Sequence, residues 1–167
     1  DDGSTYPSAR AFPGLRIGIG HALFGELWKS NPWTTQYLGE YGGSAPRIVD
    51  WVSGACLMVN RVSFEAIDGF DSGYFMFFED VDLCFRLKKN QWRSLYVPHA
   101  VITHSGAHST GPKMAEMVKV HHHSAERFLF KLYAGPQYWL LRQLLRVGLA
   151  MRSLIAPKRY GTPSARD

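Results

Sequence analysis

Residues Gly69–Arg86 read GFDSGYFMFFEDVDLCFR, an aromatic run followed by three carboxylates. The run Tyr74–Phe78 predicts a buried segment, because large apolar side chains mostly lie inside folded proteins. The carboxylates begin where this run ends, so we expect them at the rim of the core. Acidic residues are favoured in the first turn of a helix by its dipole, which predicts a helix start near Glu79. The stretch therefore predicts a buried segment that leads into a helix with an acidic first turn.

The acidic residues of this helix divide into different roles. Asp80 and Asp82 are two residues apart, about 200° around a helix, and so cannot share a task. Asp82 is placed to pair with Arg86 one turn later, which is a structural role. Asp80 is then free to face a cleft. On the residues alone, the alternative stays open that Glu79 and Asp80 do no more than charge a helix N-terminus.

Local patterns predict the remaining elements and an α/β class. Strand composition appears at three places, and Gly54 lies inside the first of them, where backbone can approach a ligand or another strand. Asp68-Gly69 is a helix-stop signal. The predicted strands are Arg47–Asn60, Arg93–Val97 and Ala100–His104. The predicted helices are a weak one at Ile17–Trp28, then Arg61–Ile67, Glu79–Asn90, one from Pro112 to about Ala134, and one from Pro136 to about Ile155.

Charge and cysteine content narrow the function classes. Residues 1–110 hold 9 Lys and Arg against 11 Asp and Glu, whereas residues 111–167 hold 10 against 3, a net charge of +7. A basic segment can bind nucleic acid or an anionic membrane. Cys56 and Cys84 both lie in apolar patterns, which predicts buried free thiols, as suits a reducing cytoplasm.

Four motifs, in this order and at this spacing, resemble the second half of a family-2 inverting glycosyltransferase. They are DWVSGACLMV at 50–59, GFD at 69–71, FEDVDL at 78–83 and VPHAVITH at 97–104. Residues 2–4 and 8–13, DGS and SARAFP, are similar to the segment that precedes this half in the bacterial rhamnosyltransferase-like branch. The likeness covers roughly residues 1–130 and is specific as a set. It implies the C-terminal half of a GT-A (Rossmann-like) domain.

The resemblance implies roles for the residues of these motifs. Asp80, beside Glu79, would be the general base that takes the proton from the acceptor hydroxyl. His104 would be a ligand of a divalent metal, Mg²⁺ or Mn²⁺, that stabilises charge on the leaving diphosphate; its competing interpretation is a surface residue. The acceptor-side strand would bind a sugar, with plain core as the alternative for its Trp. A polar loop would close over the diphosphate, with an ordinary surface loop as the alternative. These two binding groups are Trp51, Ser53 and Gly54 in the strand, and His108, Ser109 and Thr110 in the loop.

The basic tail predicts a helix lying in the membrane interface. Arg142 and Arg146 share one side of the helix, and we expect Tyr138, Leu141, Leu145 and Leu149 to form its apolar side. We expect Tyr138 and Trp139 near lipid headgroups and the arginines on anionic lipid. Packing on a missing half or on a second subunit is the alternative, so a homo-oligomer stays open. One side of this helix is too apolar for a helix that binds nucleic acid.

The three consecutive histidines, His121–His123, do not predict a metal site. Successive side chains on a helix point about 100° apart, so these three cannot chelate one ion together.

The sequence thus predicts an acceptor-side enzyme half, residues 1–112, a helical membrane-associated tail, 113–156, and a frayed end, 157–167. The expected reaction transfers a sugar from a nucleotide sugar, dTDP-rhamnose as the best match, to a polyprenyl-diphosphate-linked saccharide in cell-wall or surface polysaccharide synthesis. The expected location is the cytoplasmic face of the cell membrane. Since no nucleotide-binding half with its own Asp-x-Asp motif precedes these residues, the rival expectation is an inactive fragment that binds a membrane or a partner.

Overall fold

The computed structural model describes residues 6–14, 45–104 and 114–160, with side chains from 116 to 152 in the last range. Short strands and helices alternate along these residues. The strands are β1 (Ala9–Arg10), β2 (Arg47–Val49), β3 (Trp51–Val52) and β4 (Ser94–Tyr96). The helices are α1 (Arg61–Glu65), α2 (Glu79–Lys89), α3 (Met114–Leu132) and α4 (Trp139–Tyr160), with a 3₁₀ turn at Pro136–Tyr138. The predicted helix at Ile17–Trp28 lies outside the described residues.

The chain divides into two compact units. The first is drawn from Asp1–Asp71 and Glu79–His104, and the second from Ser72–Phe78 and Ser105–Asp167. The first unit contains the four described strands with α1 and α2. The second contains α3 and α4.

Two small antiparallel sheets form the first unit's strand layer. β1 pairs with β3, with Arg10 opposite Trp51, and β2 pairs with β4, with Ile48 opposite Leu95. The strand predicted at Arg47–Asn60 therefore forms only at its start, and it is split at Asp50. The strand predicted at Ala100–His104 is wrong, because a strand requires a hydrogen-bonded neighbour and the described residues provide none there.

The core of the first unit is built on α2. Leu83 and Leu87 pack with Ile67, and these three are flanked by partly buried Leu57, Val59 and Phe64. The prediction of α2 is confirmed to within one residue.

Cys84 is buried as predicted, but Cys56 is exposed, because the chain leaves β3 in a turn before it reaches the core at Leu57. Both cysteines are free.

Helix α1 ends at the predicted glycine stop. Its first turn is capped by the Asn60 side chain, which accepts a hydrogen bond from the Ser63 N–H at 3.2 Å. At the other end Gly69 adopts φ +65, and its N–H donates to the Phe64 carbonyl at 2.9 Å. A left-handed residue that closes the last turn in this way is the usual helix stop.

We expect Gly69→Ala to destabilise the chain by about 1–2 kcal/mol, because alanine disfavours positive φ. A Cβ at this position would also lie 2.9 Å from the Phe64 ring. Gly148→Ala is the matched control, since Gly148 lies within α4 and a Cβ there meets nothing within 4 Å. In a helix this second change is expected to stabilise by about 0.5–1 kcal/mol. Urea unfolding of both variants measures the two effects, and shifts of the same sign would contradict this account of Gly69.

The aromatic run packs only in part as predicted. Tyr74 is buried, whereas Phe75 is 80% exposed. Phe78 lies against Phe128 of α3, and the Ser124 hydroxyl of α3 donates to the Met76 carbonyl at 2.7 Å. The run is therefore held against α3 by several of its residues, Phe77 beside His121 among them, rather than buried as a continuous segment.

Helices α3 and α4 pack on each other through the arginine side of α4. Arg146 donates to Glu126 at 2.8 Å and lies 4.9 Å above the Phe130 ring. Arg142 lies 6.0 Å from the same ring. The prediction that these two arginines rest on lipid is therefore wrong, because an acidic and an aromatic side chain of α3 already receive them. Helix α4 is longer than predicted, since it continues to Tyr160 rather than ending near Ile155.

No helix within the described residues is long and apolar enough to cross a membrane.

Candidate active site

Asp80 lies at the start of α2 and joins two distant motifs. Its Oδ2 accepts a hydrogen bond from the Gly54 N–H at 2.9 Å, across 26 positions of sequence. Its Oδ1 accepts from the Val81 N–H at 2.8 Å. An ionised carboxylate has about four acceptor positions, so these two bonds orient the group and leave others open. The residue is partly exposed, and it therefore has the access that a base needs.

Asp82, in contrast, points into the protein. It is fully buried, and its Oδ2 accepts from Arg86 Nε at 2.7 Å. Arg86 also donates to the Ile67 carbonyl at 2.7 Å, which ties α2 to the turn after α1. The predicted structural role of Asp82 is confirmed. This anchoring fixes the rotation of α2 and so directs Asp80 to the opposite side.

Glu79 is a half-buried neighbour of the candidate base. Its Oε2 is buried and has no hydrogen-bond partner among the described residues. Burial raises the pKa of Glu79, the negative charge of Asp80 raises it further, and a backbone hydrogen bond opposes the shift. The Glu79 carboxyl therefore holds its proton more firmly than a solvent-exposed glutamate does.

We expect the raised pKa of Glu79 to make the chain less stable as the pH rises above the group's ordinary value of 4.5. Between the ordinary and the raised pKa the folded state binds more protons than the unfolded state, so stability falls with rising pH. Glu79→Gln removes this loss and should raise the unfolding midpoint at neutral pH. Urea unfolding at about pH 4 and pH 7 checks this. A variant that gains as much at the lower pH would contradict the titration.

Trp51, Ser53 and Gly54 form one short segment beside Asp80. Trp51 is 6% exposed, its indole N–H donates to the Ala11 carbonyl at 2.9 Å, and Arg10 lies 5.5 Å from its ring. Ser53 donates its backbone N–H to Ser8 at 2.7 Å, and Gly54 is exposed. Trp51 thus supports the segment from within, while Gly54 forms the accessible surface next to the carboxylate.

His104 is exposed and lies at the end of the first unit. No group of three His, Cys, Asp or Glu close enough to hold a metal ion occurs within residues 6–14, 45–104 and the described part of α3 and α4. The described residues do not form a metal site by themselves. His108, Ser109 and Thr110 lie outside the described residues.

A basic cleft at the other end of α2 was not predicted. It measures about 340 Å³, and four cations from separate segments line it, namely Arg10, Arg47, Lys88 and Arg93. Asp50 accepts from Lys88 at 2.7 Å inside it. Lys88 follows Asp80 by eight residues of helix, about 12 Å along the axis, so the cleft is separate from the carboxylate site. No local pattern marks it, because its cations meet only after folding.

Known proteins match this chain in sequence. The family model described as "Glycosyltransferase like family 2" matches residues 39–123. Two proteins of Mycobacterium tuberculosis, strains CDC 1551 / Oshkosh and ATCC 25618 / H37Rv, are each 48% identical over 152 residues, which is 91% of this chain and 50% of theirs. Both are named N-acetylglucosaminyl-diphospho-decaprenol L-rhamnosyltransferase.

A more distant relative is Rhamnosyltransferase WbbL of Escherichia coli K12, 37% identical over 82 residues, or 49% of this chain and 31% of that one. No solved structure matches. The chain spans about half the length of the mycobacterial relatives. The family model covers Gly54, Asp80 and His104 alike, and the predicted resemblance is confirmed. The chain belongs to the family-2 glycosyltransferases.

Proposed function

We propose that this chain takes part in the transfer of rhamnose from a nucleotide sugar, dTDP-rhamnose, to a polyprenyl-diphosphate-linked saccharide. The mycobacterial relatives are named for rhamnosyl transfer involving N-acetylglucosaminyl-diphospho-decaprenol, which supports this donor sugar and this class of acceptor. The observation that carries the proposal is the Asp80 carboxylate, held by the Gly54 amide at an accessible helix start. The product would belong to cell-wall or surface polysaccharide.

In this proposal Asp80 acts as the general base of an inverting displacement. It takes the proton of the acceptor hydroxyl as that oxygen attacks the anomeric carbon. The bond from this carbon to the nucleotide diphosphate breaks, and the diphosphate leaves with the electron pair. The two amides on Asp80 hold the carboxylate in position before the acceptor arrives, which lowers the cost of orientation. Glu79 lies directly before the base in the chain, and burial raises the pKa of its carboxyl.

The other predicted site residues would bind either the sugar donor or the acceptor. Gly54 and Ser53, supported by Trp51, would bind the acceptor sugar beside Asp80. His108, Ser109 and Thr110 would donate to the diphosphate oxygens. A divalent metal, Mg²⁺ or Mn²⁺, is part of the proposal with His104 as one ligand; when bound it would stabilise the leaving diphosphate. The chain would act as the acceptor-side, C-terminal half of a GT-A domain at the cytoplasmic face of the membrane.

The proposal is tested by following acceptor-dependent release of dTDP from dTDP-rhamnose. The assay uses the 167-residue chain and, in parallel, the chain joined to whatever the reading frame encodes before Asp1. We expect release that requires the lipid-linked acceptor and stops on adding a metal chelator. If neither protein transfers sugar to any polyprenyl-diphosphate saccharide, the proposal fails, and the rival function of a membrane- or partner-binding module gains support.

A further inference from the structure

The basic cleft at the end of α2 is built from cations of four separate segments. Arg10 lies in β1, Arg47 in β2, Lys88 in the last turn of α2 and Arg93 directly before β4. All four segments belong to the first unit. At about 340 Å³ the cleft has the size of a small-molecule pocket. Among the described residues that line it, Asp50 alone is acidic, so four cations and one carboxylate give the lining a net charge of +3.

Asp50 has a structural role in the cleft. Its Oδ1 accepts from Lys88 Nζ at 2.7 Å, and its Oδ2 accepts the Phe12 N–H at 3.0 Å. The carboxylate therefore ties the end of α2 to the chain after β1 and fixes the lysine in the cleft. It offsets a single positive charge, and the excess that remains attracts an anion.

The two arginines of the strands are also held by groups of the first unit. Arg10 Nε donates to the Pro7 carbonyl at 2.9 Å. The Arg47 guanidinium lies 4.7 Å from the ring of Tyr96, its partner on β4. Like charges held close together repel one another, and a bound anion offsets this cost. Cations that are already in position lose little freedom when an anion binds, which favours binding.

The position of the cleft relative to Asp80 indicates which anion it binds. The segment 50–54 runs antiparallel to α2, because Gly54 is bonded to Asp80 near the start of the helix and Asp50 is bonded to Lys88 near its end. The candidate base and the cleft are therefore at the two ends of one stretch, about 12 Å apart along the helix.

The acceptor of the proposed reaction has a matching layout. In a single-sugar acceptor the attacking hydroxyl and the diphosphate are on different carbons of the ring, so a sugar ring separates them. The diphosphate of the donor, in contrast, is separated from the attacking oxygen by a single carbon atom, and so lies closer to the base. The separation of Asp80 from the cleft therefore favours the diphosphate of the acceptor.

We propose that the basic cleft binds the diphosphate of the lipid-linked acceptor and so presents the acceptor hydroxyl to Asp80. This role rests on the proposed function, which supplies the identity of the anion. Arginine side chains bind phosphate oxygens through paired N–H groups, and three of the four cations are arginines. These cations take no part in the proton transfer, and they set the affinity for the acceptor and its orientation.

The test measures binding of three probes to the 167-residue chain by titration calorimetry. The probes are inorganic pyrophosphate, dTDP, and N-acetylglucosamine joined through a diphosphate to a geranyl chain, called here the geranyl probe. We expect the geranyl probe to bind more tightly than dTDP. Arg93→Gln should weaken binding of pyrophosphate and of the geranyl probe by about tenfold, the effect of one charge-assisted hydrogen bond.

Arg61→Gln is the matched control for the loss of a charge. Arg61 belongs to the same unit, its side chain is 89% exposed, and it does not line the cleft. This variant should bind all three probes as the parent does. Arg93 is exposed as well, so both variants should keep the urea midpoint of the parent, which confirms that they fold.

Four results would overturn the proposal. Equal binding of the geranyl probe by the parent and by Arg93→Gln would mean that the cleft does not hold its diphosphate. Tighter binding of dTDP, with the larger loss in Arg93→Gln, would assign the cleft to the donor. Displacement of pyrophosphate by phosphatidylglycerol vesicles but not by the geranyl probe would assign it to a lipid headgroup. A parent chain that binds none of the probes would exclude the site.

Kinetics separates a failure of this proposal from a failure of the proposed function. In a protein that transfers sugar, Arg93→Gln should raise KM for the acceptor by about tenfold and leave KM for dTDP-rhamnose unchanged. Transfer with an unchanged acceptor KM would contradict the role of the cleft and leave the reaction standing. Binding of the geranyl probe that Arg93→Gln weakens, without any transfer, would support the cleft and contradict the reaction.

Discussion

Asp80→Asn is expected to lower rhamnosyl transfer by about 10²–10⁴-fold, the usual contribution of a general base. The amide cannot take the acceptor proton. Its oxygen can still accept the Gly54 N–H that Asp80 accepts at 2.9 Å, so the start of α2 should keep its geometry. The measurement is acceptor-dependent dTDP release by whichever protein proves active, with donor binding measured separately. We expect turnover to fall while donor binding is kept.

The stability of the same variant separates a chemical loss from a structural one. Asp80 is partly exposed, and its replacement should leave the urea midpoint close to that of the parent. Full turnover in Asp80→Asn would exclude the base assignment. A loss of turnover that follows a large loss of stability would assign Asp80 a structural role, the alternative that the sequence left open.

Asp82→Asn is the same chemical change two residues away, but we expect its main effect on stability rather than on turnover. It is expected to cost about 3–5 kcal/mol of stability, because a buried ion pair loses one partner while the other keeps its charge. Asp82 is fully buried, and the paired Arg86 side chain is 20% exposed. Urea unfolding of the 167-residue chain measures the loss.

A double variant tests whether the loss comes from the unpaired charge. In Asp82→Asn with Arg86→Met no uncompensated charge remains, so part of the stability lost in the single variant should return. Arg86 also donates to the Ile67 carbonyl, so recovery should be incomplete. A single variant as stable as the parent would show that this ion pair does not anchor α2.

The local parts of the site could be predicted from the sequence. The start of α2 was found because acids in a first turn and apolar residues further along are both signals within one helix. The Asp82–Arg86 pair followed from helical spacing alone, and the glycine stop at Gly69 from a dipeptide. Each of these depends on residues within about one turn of one another.

The features that depended on distant neighbours could not be predicted. Residues 100–104 have strand composition, but the described residues offer them no pairing partner. Helix α4 has two apolar sides, so a helical wheel cannot say which side packs; Glu126 and Phe130 on α3 decide it. The hydrogen bond between Gly54 and Asp80 joins residues 26 positions apart, and the family resemblance named both residues without placing them together.

The exposure of Cys56 gives the site a place for a reporter group. Cys56 is exposed and Cys84 is buried, and the chain has two cysteines in all. A maleimide dye would therefore label one position in the folded protein. That position lies two residues after Gly54, whose amide holds the candidate base. Fluorescence from this label would follow acceptor arrival at Asp80 in real time, without radioactive sugar and without altering the carboxylates.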